Sequence, residues 1–328
     1  MKKKVLLLMC IALSLCSFSS AGAASPATTK MKMNKSEHNL SMYIDYDGQL
    51  SISQFDYSPN QISETGTVSA SDTYDVIVYK NNDSEIQKER QVVSADDYIW
   101  CGKEINKDGD IIVAGKKDNS VHFVMYNQEG TVISDIYDKT TAKQVDDVAI
   151  KDNTIYYVCT KKDSYYLRSI DVKTGDVKFS KKITKKRNVR NKVSIINNRL
   201  YVIFNNKINS YSLKGKLAKT YTLPKLKENI IKLSDYSKKN PVISICDSIC
   251  INGKYLYYSN GQKGIYRCPV NNSKKGFKLF YDAKKDKRFK DGLLYDMCIL
   301  NNKTFYVSFY DKNDTDCTGP QWVIKYEK

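Results

Sequence analysis

The 328-residue chain has only two histidines, His38 and His122, and neither lies near an obvious catalytic partner in sequence. His122 falls in a strand-like run and reads as a packed or edge strand residue, while His38 sits in a polar N-terminal stretch. No G-x-S-x-G, phosphate-binding loop or H-E-x-x-H pattern occurs, so the common signatures of hydrolases, P-loop nucleotidases and zinc proteases are missing. No C-x-x-C pair is present to suggest zinc. Asp311 to Asp316 alternates oxygen-bearing side chains as a calcium loop does. It lacks the glycine at the sixth place and the glutamate at the twelfth, where Trp322 stands, and reads as a solvated loop. No metal and no cofactor is expected.

Helical periodicity is also missing, since almost no segment keeps a 3.6-residue apolar repeat for 12 residues. After residue 24 no segment approaches 18 consecutive apolar residues, so no transmembrane segment is expected in the mature chain. A dedicated disulfide framework is disfavoured too. With Cys10 and Cys16 in the leader, seven cysteines remain (Cys101, Cys159, Cys246, Cys250, Cys268, Cys298 and Cys317), an odd number. Cys246 and Cys250 on one strand would be roughly 13 Å apart, too far to bridge. Small buried hydrophobes in strands are the expected role of these thiols, with one or two disulfides as the alternative.

What is present begins with an export signal. Lys2, Lys3 and Lys4 form a charged head, Val5 to Phe18 an apolar stretch, and Ala21-Gly22-Ala23 a small-residue cleavage site. Residues 1–24 are therefore expected to be a cleaved signal peptide, and the protein to be secreted or held at the cell wall. Residues 25–40 lack periodicity and read as a flexible tether. Residues 41–328 are expected to form one all-β domain.

That domain repeats. Asp152-Asn153-Thr154 leads into Ile155-Tyr156-Tyr157-Val158, and Asn197-Asn198-Arg199 into Leu200-Tyr201-Val202-Ile203. Asn252-Gly253-Lys254 leads into Tyr255-Leu256-Tyr257-Tyr258, and Asn301-Asn302-Lys303 into Thr304-Phe305-Tyr306-Val307. The matched tyrosines 156, 201, 257 and 306 recur 45, 56 and 49 residues apart. An earlier copy runs from Asp108 into Ile111-Ile112-Val113. Each unit continues with a second strand, a turn at Gly130, Gly175 or Gly215, and a third strand. Four short strands every 40–50 residues is the signature of a β-propeller blade. Six blades are expected, over roughly 49–92, 98–136, 146–183, 192–222, 243–282 and 294–328, with seven as the alternative. A strand from Met42–Phe55 is expected to complete the last one.

Ile170-Asp171-Val172-Lys173-Thr174-Gly175-Asp176-Val177-Lys178-Phe179 resembles the repeat signature of quinoprotein-type (PQQ-like) propellers, with Phe179 at the usual tryptophan. Gly253 to Asn260, followed by Gly264-Ile265-Tyr266-Arg267, is similar to bacterial propeller repeats of the low-density-lipoprotein-receptor type. Both resemblances imply blade packing and no reaction, and no bound quinone is expected.

Charge carries the functional signal. The net charge is +17, three of it from the leader lysines. Residues 25–150 hold 12 Lys/Arg against 21 Asp/Glu, a balance of −9, whereas residues 151–328 hold 38 against 15, a balance of +23. A general lysine bias would not give the two halves opposite signs. In a ring, sequence halves become spatial sectors, one acidic and one basic. The densest clusters are Lys181, Lys182, Lys185, Lys186, Arg187, Arg190 and Lys192, and Lys284, Lys285, Lys287, Arg288 and Lys290. Both are placed in connections between blades. They are expected to contact an anionic cell-wall polymer or a protein partner, and nucleic acid is disfavoured by export. The opposing expectation is a propeller enzyme, a polysaccharide lyase or glycan hydrolase, with carboxylates in its central channel. A monomer is expected.

Overall fold

The computed structural model describes residues 30–32, 37–44, 50–58, 73–82, 85–94 and 99–105 as strand backbone. From residue 109 onward it describes all except 118, 128, 141, 143, 186–191, 205, 226–229, 232–241, 244–247, 260–263, 283–284, 286–291, 312–321 and 328.

The strands follow the chain in groups of four. After β1 (Lys30–Lys32) the first sheet comprises β2 (Glu37–Ile44), β3 (Leu50–Ser58), β4 (Thr73–Asn82) and β5 (Glu85–Ser94). The second holds β6 (Ile99–Ile105), β7 (Ile111–Lys117), β8 (Ser120–Tyr126) and β9 (Val132–Asp138). The third holds β10 (Gln144–Lys151), β11 (Thr154–Lys161), β12 (Ser164–Asp171) and β13 (Val177–Lys185). The fourth holds β14 (Lys192–Ile196), β15 (Arg199–Phe204), β16 (Lys207–Ser212) and β17 (Leu217–Thr222). A two-stranded pair follows, β18 (Ile230–Ile231) with β19 (Val242–Ile243).

The fifth sheet comprises β20 (Ser248–Asn252), β21 (Tyr255–Ser259), β22 (Gly264–Pro269) and β23 (Lys278–Asp282). The last holds β24 (Gly292–Ile299), β25 (Thr304–Asp311) and β26 (Trp322–Glu327), and β1 is its fourth strand. Every neighbouring pair is antiparallel, and the first strands of successive sheets pack side by side: β6 on β10, β10 on β14, β14 on β20, β20 on β24 and β24 on β2. Because β14 meets β20, the β18–β19 pair does not separate the fourth sheet from the fifth at their first strands.

Two sequence expectations need correction. The strand completing the last sheet is Lys30–Lys32, where Met31 faces Val323, and not Met42–Phe55. Residues 37–44 and 50–58 are instead the first two strands of the first sheet, paired to each other from Glu37↔Asp56 to Ile44↔Leu50. The physical reason is that the first sheet needs four strands of its own, which leaves the last with an open edge that only an earlier segment can cover.

The second strands explain their own composition. Ile155, Tyr157 and Cys159 of β11 pack toward the second sheet with Phe123 and Met125, whereas Tyr156 and Val158 pack toward the fourth with Val193 and Leu200. Both faces of the strand are buried, so it is apolar at every position from Ile155 to Cys159 instead of alternating. The same division places Leu200 and Val202 against the third sheet and Tyr201 and Ile203 against the fifth. Tyr156, Tyr201, Tyr257 and Tyr306 each stand two residues after the start of β11, β15 and β21 or β25, and all are buried.

The glycine turns join the third and fourth strands of their sheets, one strand later than the sequence reading placed them. Gly130, Gly175 and Gly215 have φ of +82°, +73° and +76°, a left-handed conformation that favours glycine. Asp171 reinforces its turn by accepting the backbone N–H groups of Lys173 and Thr174 at 2.8 and 3.1 Å.

Candidate functional site

Successive sheets are tied at the turns joining third and fourth strands. The Ser134 hydroxyl donates to the Val172 carbonyl at 3.1 Å, the Lys181 ammonium to the Gly215 carbonyl at 2.9 Å, and Lys219 and Tyr221 to the Val270 carbonyl at 2.8 Å each. Phe179 lies against Gly215, where an added Cβ would come 3.1 Å from its ring. The ring also meets Tyr156 at 6.2 Å.

A buried polar cluster ties the second sheet to the third. Asp138, 4% exposed, receives Arg168 Nε at 2.8 Å and Nη2 at 3.1 Å, while Tyr157 Oη also donates to it. Arg168 Nη1 donates to Ser180 Oγ at 2.6 Å. Burial pushes the Tyr157 hydroxyl well above its ordinary value and the Cys159 thiol up to about 12. The fork geometry satisfies the carboxylate as a structural pair does, and it holds Tyr157 protonated. Sequence reading missed it because Asp138, Tyr157 and Arg168 are contributed by three strands of two sheets.

First-strand carboxylates are the candidates for a channel site. β10 and β24 both carry a bulge, between Val145 and Asp147 and between Leu294 and Asp296. Asp147 Oδ2 accepts the Val193 backbone N–H of the next sheet at 3.0 Å, and Asp296 accepts the Ser248 hydroxyl of the preceding one. These acids are engaged in joining sheets. Among the described residues, no three His, Cys, Asp or Glu side chains gather as a metal-binding group. His122 is buried on a third strand, bonded to Asp135 at 2.7 Å and stacked on Tyr137 at 4.2 Å. Cys159, Cys250, Cys268 and Cys298 are free thiols on strands, three of them buried.

The lysine clusters fall differently from the sequence reading. Lys181, Lys182 and Lys185 lie on β13 itself, not in a connection, because that strand continues to Lys185 opposite Ser164. Lys181 is partly buried and lies over the Tyr211 ring at 5.1 Å, whereas Lys182 is exposed. Lys192 opens β14, and Lys285 is exposed between β23 and β24. Lys186, Arg187, Arg190, Lys284, Lys287, Arg288 and Lys290 lie outside the described residues.

No family model and no curated protein matches the sequence. Solved structures do match in shape. Virginiamycin B lyase from Staphylococcus aureus, in a catalytically inactive form with quinupristin, superimposes with a TM-score of 0.55 at 11% identity, covering 92% of this chain and 99% of that one. The selenomethionine form of the same lyase gives 0.52 at 12% identity with the same coverage. The fold is a β-propeller. The Dos1 propeller gives 0.48 at 9% identity over 89% of this chain and 68% of that one. At these identities the likeness extends to the propeller fold of four-stranded antiparallel blades and not to its chemistry.

Proposed function

We propose that this chain is an exported six-bladed propeller, in one domain, that binds an anionic polymer of the cell wall through its basic sector without reacting with it. The charge division supports this most directly. The −9 segment ends at residue 150, near the end of β10, so the first two sheets and the first strand of the third belong to it, and the +23 segment supplies most of the rest of the ring. A linear polyanion lying on such a sector releases counterions for each lysine or arginine it meets, which gives binding without a shaped pocket. The leader supports export, and outside a cell the abundant linear anions are wall polymers.

The test is binding of the mature protein to purified anionic wall polymer across a salt series. The reading expects the logarithm of the affinity to fall linearly with log salt concentration and the polymer to be recovered at unchanged length. Salt-independent binding, no binding, or progressive cleavage with new chain ends would each defeat it. Cleavage would favour the lyase or hydrolase reading, with its site among the first-strand carboxylates.

A further inference from the structure

In each four-stranded sheet the turn between strands one and two and the turn between strands three and four emerge at the same end of the blade. Arg199 beside Asn198 is thus paired with Ser212 at the start of the Gly215 turn, and Tyr255 beside Lys254 with Pro269. In blades four to six, from residue 192 onward, the described turns at this end contain no aspartate or glutamate. They read Asn197-Asn198-Arg199, Ser212 to Lys216, Asn252-Gly253-Lys254, Pro269 to Gly276 and Asn301-Asn302-Lys303. Blade four exposes Arg199, Lys214 and Lys216 there; blade five exposes Lys254, Lys274 and Lys275; blade six exposes Lys303.

Blade three differs. Its turns carry Asp152, Asp171 and Asp176, and Lys178 is neutralised by Asp171 at 2.9 Å. The corresponding turn of blade two carries Glu129. The acid-free run of turns therefore begins at blade four, with Glu327 at the end of β26, opposite Thr304, as a strand-end acidic residue beside it. At the opposite end the connection between β23 and β24 interleaves Asp286 and Asp291 with its lysines.

The basic turns form one continuous surface because lateral bonds join them. Lys181 reaches the Gly215 turn, Lys219 and Tyr221 reach Val270, and the Asn252 side-chain amide donates to the carbonyls of Ile299 and Leu300. Arg267 is held between the Tyr255 and Phe280 rings, at 4.5 and 5.1 Å, and donates to Asn302 Oδ1 at 3.2 Å. Lys254, Lys274 and Lys303 are thereby presented on a fixed frame, with exposed Asn271, Asn272, Asn301 and Asn302 between them.

We propose that this turn end of blades four to six is the docking surface for the polyanion, and that the ligand is a single-stranded linear polymer whose charges are phosphates. The proposal rests on the polyanion reading above and assigns it an end of the propeller and a ligand chemistry. Lysine dominates the exposed cations here, and lysine meets phosphate as a point charge without needing the paired geometry that arginine offers a carboxylate. Amide side chains beside it supply neutral donors to the remaining phosphate and hydroxyl oxygens.

The test uses the full mature protein with long-chain inorganic polyphosphate as probe and polygalacturonate as the carboxylate comparator. A turn variant, K214Q/K216Q/K274Q/K275Q, is compared with a connection variant, K185Q/K186Q/R187Q/R190Q, both checked by melting temperature. The turn variant is expected to weaken polyphosphate binding at least about tenfold and to flatten its salt slope by about 3, from about 0.7 per lost contact on a single-stranded polyanion. The connection variant is expected to change affinity by less than about twofold, since no assigned contact is lost. Loss confined to the connection variant, or equal losses, would overturn the turn-end assignment while leaving polyanion binding intact. Tighter binding of polygalacturonate would overturn phosphate as the charged group, and tighter binding of double-stranded DNA would overturn the single-stranded ligand. Failure of the unaltered protein to bind any of the three would instead bring down the polyanion reading itself.

Discussion

Closure of the ring by β1 makes the N-terminus of the mature protein a structural element. If the leader is removed after Ala23 or Ala24, only the five or six residues up to Thr29 precede Lys30, so a slightly longer truncation removes the strand. Its ladder pairs Lys30 with Ile324, Met31 with Val323 and Lys32 with Trp322. A three-residue antiparallel ladder supplies about 2–4 backbone hydrogen bonds, each worth about 0.5–1.5 kcal/mol net. Deleting residues 25–33 should therefore cost about 2–4 kcal/mol, or about 5–10 °C in melting temperature for a domain of this size. Differential scanning calorimetry of proteins beginning at residue 25 and at residue 34 would measure it. A double variant, M31C/V323C, should form a disulfide under oxidising conditions, because directly opposed residues in an antiparallel pair stand about 4.5–5.5 Å apart at Cα. Equal melting temperatures for the two lengths, together with no bond between positions 31 and 323 in a peptide map, would refute β1 as the closing strand.

The other predictions concern the blade interfaces. Phe179→Ala should lower stability by about 2–3 kcal/mol by emptying the contact with Tyr156 and the Gly215 turn, read from urea midpoints. Arg168→Ala should cost about 3–5 kcal/mol by leaving Asp138 buried without its cation, whereas replacing both as R168M/D138L should recover much of that loss. Asp171 is held down to about 2 by Lys178 and by the N–H groups of Lys173 and Thr174. Its folded value lies below its unfolded one, so its contribution is present above about pH 4 and is lost as pH falls toward 2. A carboxyl NMR titration should place its midpoint well below 3.8, and an ordinary midpoint would contradict the turn geometry. Burial raises the thiols of Cys159 and Cys250, to about 12 and about 11, so neither should be alkylated by iodoacetamide at pH 8 until the protein is unfolded.

Much of the fold was legible because hairpin chemistry is local. Asn-Asn and Asp-Asn pairs ahead of Leu200 and Ile155 announce two-residue turns, and the glycines at 130, 175 and 215 sit where positive φ is needed. The fourth blade, read as 192–222, coincides with the strands from Lys192 to Thr222. The closing strand was hidden for a physical reason: Lys30-Met31-Lys32 has neither alternation nor β-branched residues, and its place is set by an open edge some 290 residues away. The β13 strand was cut short because Lys181, Lys182 and Lys185 look like a solvated run, yet backbone pairing to Ser164–Leu167 carries them. The basic turn surface escaped notice for the opposite reason. Arg199, Lys214, Lys254, Lys274 and Lys303 come from separate turns of three blades and make no dense run in the sequence.

Lysine footprinting tests the central claim most directly. The mature protein is acetylated with and without saturating polyphosphate, and modification at each lysine is read by peptide mass spectrometry. The account predicts protection of Lys214, Lys216, Lys254, Lys274, Lys275 and Lys303, with Lys162, Lys207 and Lys285 at the opposite end of the blades reacting as before. Uniform protection of all exposed lysines, or protection confined to Lys162, Lys207 and Lys285, would contradict it.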